Sequence, residues 1–443
     1  AAGVMVFVPG PGRALLQVPA TGGAVTAATT LGPQQAGHYL PHFLPDGRRF
    51  LLHVDSSSAE ESGMIYLGSL DNSTVTRLTP ATGRGVYLPS GWLLWLNEGR
   101  LVAQRLDPEQ GVLTGEPVTV ADRVGAVSVA ASGLVAYRTV GESPRQLVWL
   151  DRAGAVLGPV GDPDGTISNP RVAPDGHRVS LVRTVAGNTD IWLQDGARTS
   201  RLTFDAALDN FPIWSPDGSR ILFASARSGT LDIYQTLASG AGEPERIVAS
   251  QQLKAPFSWS ADGRFGLYLS IDPQTGADLW VVPMAGEQTP QVFLQTPFYE
   301  SWGVFSPDGR WVAYQSNGSG RWEIYLRPFV PPGSTDREAA GQWQVSTAGG
   351  IHPVWRADGE ELYYLNPEGA MVAVPVNVGG STPELGNPES LFSTRILGGG
   401  VGAAAQGRQY DVSADGRFLI NTELEGTEAP ITLIQNWNQE VAQ

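Results

Sequence analysis

Short apolar runs separated by turn residues dominate the chain, and one stretch shows how they are joined. In Trp214-Ser215-Pro216-Asp217-Gly218-Ser219-Arg220-Ile221-Leu222-Phe223-Ala224-Ser225 an apolar run ends in a Pro-Asp-Gly turn and a second run follows. Pro216 presets φ, Asp217 can bond its own backbone, and Gly218 supplies a positive φ, which together close a hairpin. Ile221, Phe223 and Ser225 alternate with Leu222 and Ala224, the period of a strand packed on both faces. Asp232-Ile233-Tyr234 opens a third strand and Arg246-Ile247-Val248 a fourth. Four short antiparallel strands cannot bury their faces alone, so each unit needs neighbours.

The turn glycine recurs at Gly47, Gly91, Gly133, Gly176, Gly218, Gly263, Gly309, Gly359 and Gly416, at intervals of 44, 42, 43, 42, 45, 46, 50 and 57 residues. A period in the forties with four strands per unit predicts propeller blades. Helical solenoids share the period but require a 3.6-residue pattern, which is absent. The expected fold is all-β: a β-propeller of four-stranded antiparallel blades, with a single ring of eight to ten blades preferred and two smaller rings as the alternative. Residues 1–36 read as a partial blade, 37–395 as repeated blades, and 396–443 as a glycine-rich loop and closing blade. The last unit is expected to lack its outer strand, and the terminal strands to share a blade that protects both edges. Two loops are lengthened, 331–341 and 396–408, the second carrying Gly398-Gly399-Gly400 and Ala403-Ala404-Ala405, and this glycine-rich one is expected to be mobile, with a functional role as the rival reading.

Composition narrows the partners. A hydrophobic content of 42% supports a sizeable core, and Gly 54 with Pro 33 fits frequent turns. A net charge of −15 argues against nucleic acid, which wants a basic stripe. Lys254 is the sole lysine. Without cysteine there are neither disulfides nor thiolate metal sites, a composition that suits an exported protein. No apolar run approaches the roughly 18 residues of a membrane span. Ala1-Ala2-Gly3 leads straight into the strand-like Val4–Phe7, without a leader pattern, and the start inside a repeat suggests a portion upstream.

Each chemical candidate has a plain rival. Asp46, Asp175, Asp217, Asp262, Asp308, Asp358 and Asp415 recur once per unit, so turn formation outweighs acid–base work. Asp190, Asp232, Asp278 and Glu323 likewise read as hydrogen-bond acceptors for backbone of the next loop. Asp162-Pro163-Asp164-Gly165 resembles the start of a calcium loop but lacks the later ligands, so no cofactor is expected, with calcium as the alternative. His38, His42, His53, His177 and His352 form no zinc motif. Neither a Gly-x-Ser-x-Gly elbow nor a phosphate-binding loop is present. Propellers bind where loops converge on the axis. Six residues before the turn aspartate stand Leu40, Asn169, Phe211, Trp302, His352 and Gln409, an aromatic and amide set read as candidate ligand-binding residues of a channel mouth, with plain packing as the rival.

The recurring Trp/Phe-Ser-Pro-Asp-Gly-x-x-Ile-x-Phe and Asp-Ile-Tyr pattern resembles the WD40-like (PD40) repeat of TolB-type propellers. The segments Ser306–Ser316, Tyr325–Phe329, Gln344–Thr347, Tyr410–Ser413 and Pro430–Leu433 are similar to the C-terminal extracytoplasmic region of acidobacterial-type receptor serine/threonine kinases. No kinase motif is present, so kinase activity does not carry over. The resemblance implies a non-enzymatic, extracytoplasmic binding or scaffold module, a sensor domain or accessory subunit in or near a membrane-associated complex, which docks a protein or peptide. A channel-based hydrolase or lyase acting on glycans or peptides, with His352 and Asn169 at its centre, and a purely structural subunit are the alternatives.

Overall fold

The computed structural model describes residues 3–10, 12–33, 35–56, 63–130, 133–139, 144–272, 275–333, 341–380, 382–396, 407–424 and 431–435. The glycine and alanine runs at 398–400 and 403–405, most of the 331–341 loop and Trp437 lie outside them. Among the described residues every regular element is a strand. The chain divides into two compact units, residues 1–143 with 426–443, and residues 144–425.

The turn chemistry is the one the residues demand. At each of the nine turn glycines the N–H bonds the carbonyl three residues back, as Gly218 does to Ser215 at 2.9 Å, and each glycine has a φ between 65° and 87°. The seven turn aspartates all serve their own turns. Asp308 Oδ1 accepts the Arg310 N–H at 3.1 Å and the Ser306 hydroxyl at 2.5 Å, while Arg310 Nε donates to Oδ2 at 2.8 Å. Burial pushes the Asp308 carboxyl up, but these donors outweigh it and hold the group low. Asp217, bonded first by the Ser215 hydroxyl, is held at about 2. The folded state thus binds protons later than the unfolded chain, so stability is full above pH ~4 and lost as pH falls toward ~2. Asp308→Ala should lower the unfolding free energy by ~1 kcal/mol at pH 7 and by less at pH 3, measured by urea titration at both pH values.

Residues 144–425 form six blades that close on themselves. Five are continuous in sequence and open on the inner strands Ser168–Val172, Asp209–Trp214, Leu253–Trp259, Glu300–Phe305 and Ile351–Trp355. The sixth joins the two ends of the unit: Tyr410–Val412 and Phe418–Glu423 supply its inner strands, Arg145–Leu150 and Val156–Val160 its outer ones. Arg145 faces Glu423 and Leu150 faces Phe418 across that seam. Each inner strand touches the next, and Tyr410–Val412 touches Ser168–Val172, which completes the circle. The blades therefore do not form one ring of eight to ten. The missing outer strands of the last repeat come from residues some 260 positions upstream, a pairing that turn spacing cannot reveal.

Between blades the cores are aromatic and aliphatic. Phe257, Leu267, Leu279, Trp302, Val312 and Tyr314 belong to one cluster that spans the third and fourth blades. The repeated acids sit at the blade junctions, as their recurrence implied. Asp232 accepts the Ser250 N–H at 3.3 Å and Glu323 accepts the Gly349 N–H at 3.0 Å, whereas Asp190 and Asp278 take side-chain donors instead.

Among the described residues the other unit has four sheets. They contain Val4–Phe7 to Thr26–Ala27, Gln35–Phe43 to Asn72–Pro80, Gly85–Leu88 to Val112–Ala121, and Val124–Val129 with Val135–Thr139 and Ile431–Ile434. Leu51, Ile65, Ala81, Leu93 and Trp95 pack its second sheet on its third.

Candidate functional site

The inner strands do not run smoothly. The pairing register breaks between Ser168 and Arg171, Asn210 and Ile213, Ser301 and Val304, and Ile351 and Val354. At each break one residue lies in the left-handed region: Asn169 at φ 48°, Phe211 at 56°, Trp302 at 54° and His352 at 57°. The residue after Asn169, Phe211 and His352 is proline, which lacks an N–H and so leaves no ladder donor unpaired at the bulge. Gly303 follows Trp302, where a Cβ would stand 2.6 Å from a Leu267 methyl carbon. Non-glycine residues in this conformation cost free energy, which the surrounding packing must offset.

These four bulges hold four of the six residues singled out from the sequence, and a fifth, Gln409, stands just before the sixth inner strand, Tyr410–Val412. Trp302 stacks on Phe257 at 4.5 Å and meets the edges of Phe211 at 6.1 Å and His352 at 4.6 Å. Asn169 Nδ2 donates to Asn210 Oδ1 at 2.9 Å, and Gln409 Oε1 accepts from Asn421 Nδ2 at 2.7 Å. They form a buried floor rather than a mouth: Asn169 is 2% exposed, and His352 and Gln409 are 0%. Leu40 shares the left-handed bulge, at φ 52°, but belongs to the other unit and is 48% exposed.

A cavity of about 370 Å³ begins two residues further along each strand. All six blades line it, Arg171, Ile213, Val304 and Val354 on the strands and Pro216 and Ala261 among the turns at its mouth. Its charged groups are Arg171, Arg356, Arg408 and Asp411. Arg408 Nη2 donates to Asp411 Oδ1 at 3.2 Å, and Asp411 Oδ2 accepts the Val172 N–H at 2.8 Å. Arg356 lies toward the mouth and pairs with Asp358 and Glu361. Arg171 has no carboxylate partner among the described residues; its Nη1 donates to the Pro170 carbonyl at 2.8 Å. Burial, then the positive Arg408 and Arg171, hold His352 well below its ordinary value, so it stays neutral. Among the described residues no group of three or more His, Asp or Glu is placed to hold a metal. Asp164, from the calcium-loop segment, is engaged by the Thr166 N–H and by Arg183.

A family model described as the TolB beta propeller domain (PD40) matches residues 131–274. Those residues carry the TolB-type propeller repeat. The match spans the split between Val135–Thr139, in one unit, and the first two complete blades of the six-bladed ring. Among solved structures, putative TolB from Agrobacterium tumefaciens is 18% identical, over 66% of this chain and 99% of its own, with a TM-score of 0.48. TolB from Acinetobacter baumannii is 15% identical over 76% and 79%, with a TM-score of 0.37. An oligogalacturonate lyase from Vibrio parahaemolyticus is 11% identical over 71% and 83%, at 0.41.

Arg171, Arg408 and Asp411 escaped the sequence reading, although a signal was present. Four residues before the turn aspartate the blade repeat places Ile213, Ser258, Val304 and Val354, but Arg171 and Asp411 in the first and sixth blades. A charge at a position that is uncharged in sister blades marks the axis.

Proposed function

We propose that this chain is a non-enzymatic binding module that docks a peptide segment of a protein partner in the axial cavity of residues 144–425. The observation that carries the reading is the cavity itself: about 370 Å³, within the range of ligand sites, and lined by all six blades. Its walls include the apolar Ile213, Phe257, Val304 and Val354, and three of its charged groups, Arg171, Arg408 and Asp411, gather where the first and sixth blades meet, a pattern that orients a bound segment. The side chains nearest its base do not form a nucleophile–base pair, and His352, the centre of the enzymatic alternative, lies in the floor and out of the cavity lining. The TolB-type repeat and the absence of cysteine support an extracytoplasmic site of action. No helix among the described residues is long and apolar enough to cross a membrane, so any membrane association would run through a partner or another segment.

Peptides selected by display on the full chain test the proposal. Ala261 and Ala357 are exposed at the cavity mouth, so Ala261→Trp with Ala357→Trp should fill it without touching the core. Selected peptides should lose at least tenfold in affinity for that variant while its melting temperature is unchanged. Equal binding to the plugged variant, or failure to select any peptide, overturns the reading.

A further inference from the structure

Arg171 lies on the inner strand Ser168–Val172, is 4% exposed, and lines the axial cavity. Its Nε has no partner among the described residues, nor does the Nε of Arg408. Asp411, the buried acid beside them, is already taken by Arg408 and by the Val172 N–H. The base of the cavity therefore carries two guanidinium groups and one carboxylate, a surplus of one positive charge. An unpaired buried ion is destabilising, and among the described residues this one ties no two blades together. Its Nη1 bond goes only to the adjacent Pro170 carbonyl. Burial and then the nearby Arg408 push the Arg171 guanidinium below its ordinary range, and Asp411, already bonded to Arg408, offsets only part of this.

We propose that Arg171 is the receptor for a carboxylate of the segment that enters the cavity, an acidic side chain or a C-terminal carboxylate. This rests on the docking reading given above and names its chemistry. A planar guanidinium fork matches a carboxylate in two parallel hydrogen bonds. One surplus charge fits a monoanion, whereas a phosphate monoester brings about −1.5 to −2 charges at pH 7. The apolar Ile213, Phe257, Val304 and Val354, which line the same cavity from other blades, suit a carboxylate on a hydrocarbon body. The neutral His352 beneath adds no competing charge.

The experiment titrates the full chain with N-acetyl-Ala-Leu, its C-terminal amide, N-acetyl-Leu-Glu-amide, its glutamine counterpart, and glucuronate. The readouts are the ¹⁵N-labelled arginine Nε–H resonances and tryptophan quenching, since Trp214 and Trp355 line the cavity. Acids should bind at least tenfold tighter than their amides and shift the Arg171 resonance; whichever acid binds tighter identifies the carboxylate source. Arg171→Met should abolish the preference and leave the melting temperature equal or higher, because a buried unpaired charge is removed. Should that variant fold poorly, Arg171→Lys keeps the charge but not the fork and should weaken acid binding about tenfold. Glucuronate binding without peptide binding, dependent on Arg171, would sustain the carboxylate receptor and overturn the docking of peptides. Equal affinity for acids and amides, or an Arg171 resonance that no carboxylate moves, overturns the receptor whatever peptides do elsewhere.

Discussion

Lys254→Ala lowers the unfolding free energy by about 3–5 kcal/mol, the largest effect expected of any single polar substitution in the ring. The side chain is 1% exposed, on the inner strand of the third blade, and its ammonium spends all three donors. They reach Asp232 Oδ1 at 2.7 Å, the Ser250 carbonyl at 3.1 Å and the Gln252 carbonyl at 2.6 Å. Asp232 belongs to the third strand of the second blade, so the ammonium joins two blades. Truncation leaves a buried carboxylate and two carbonyls short of donors, and that desolvation sets the cost. Replacing both partners, Lys254→Met with Asp232→Leu, should recover much of the loss, because neither charge then remains. Urea unfolding of the two single variants and the double variant measures this. A Lys254→Ala loss below 1 kcal/mol, or a double variant as unstable as the sum of the singles, would contradict the account.

Trp302→Ala should cost a similar ~3–5 kcal/mol, here for apolar reasons. The indole is 7% exposed, stacked on Phe257 and edged by Phe211 and His352. Its loss opens a void in the cavity floor that a closed ring of blades cannot collapse to fill. The backbone provides a control. Glycine in a strand is ordinarily ~0.5–1 kcal/mol worse than alanine. Trp302 sits at φ 54°, where glycine has no steric penalty, so Trp302→Gly should be at least as stable as Trp302→Ala. If glycine proves the worse of the two in a thermal melt, the left-handed bulge is not a feature of the folded protein.

The legible part of this protein is the part governed by local chemistry. The Pro-Asp-Gly turns were readable because each is satisfied within a few residues: Asp308 bonds Arg310 and Ser306, and Gly309 bonds Ser306. The repeated acids were readable for a related reason, since Asp232 and Glu323 each accept a backbone N–H from the loop that leads into the next blade. The axial residues were half readable. Counting six back from the turn found Asn169, Phe211, Trp302, His352 and Gln409, because each blade brings the same strand position to the axis. Counting did not find that they are buried as a floor, nor that Leu40 belongs elsewhere.

By itself, then, the sequence determined the strands, their turns, the four-stranded blade and the propeller class, all set by φ preferences, period-two patterning and hydrogen bonds of short range. The tertiary structure alone decided how many blades close a ring, through the pairing of Arg145–Leu150 with Phe418–Glu423. It alone decided that Arg171 faces a cavity without a carboxylate partner among the described residues. Both are encounters between residues far apart in the chain, and a repeat written in local turns carries no record of which distant edge or charge it will meet.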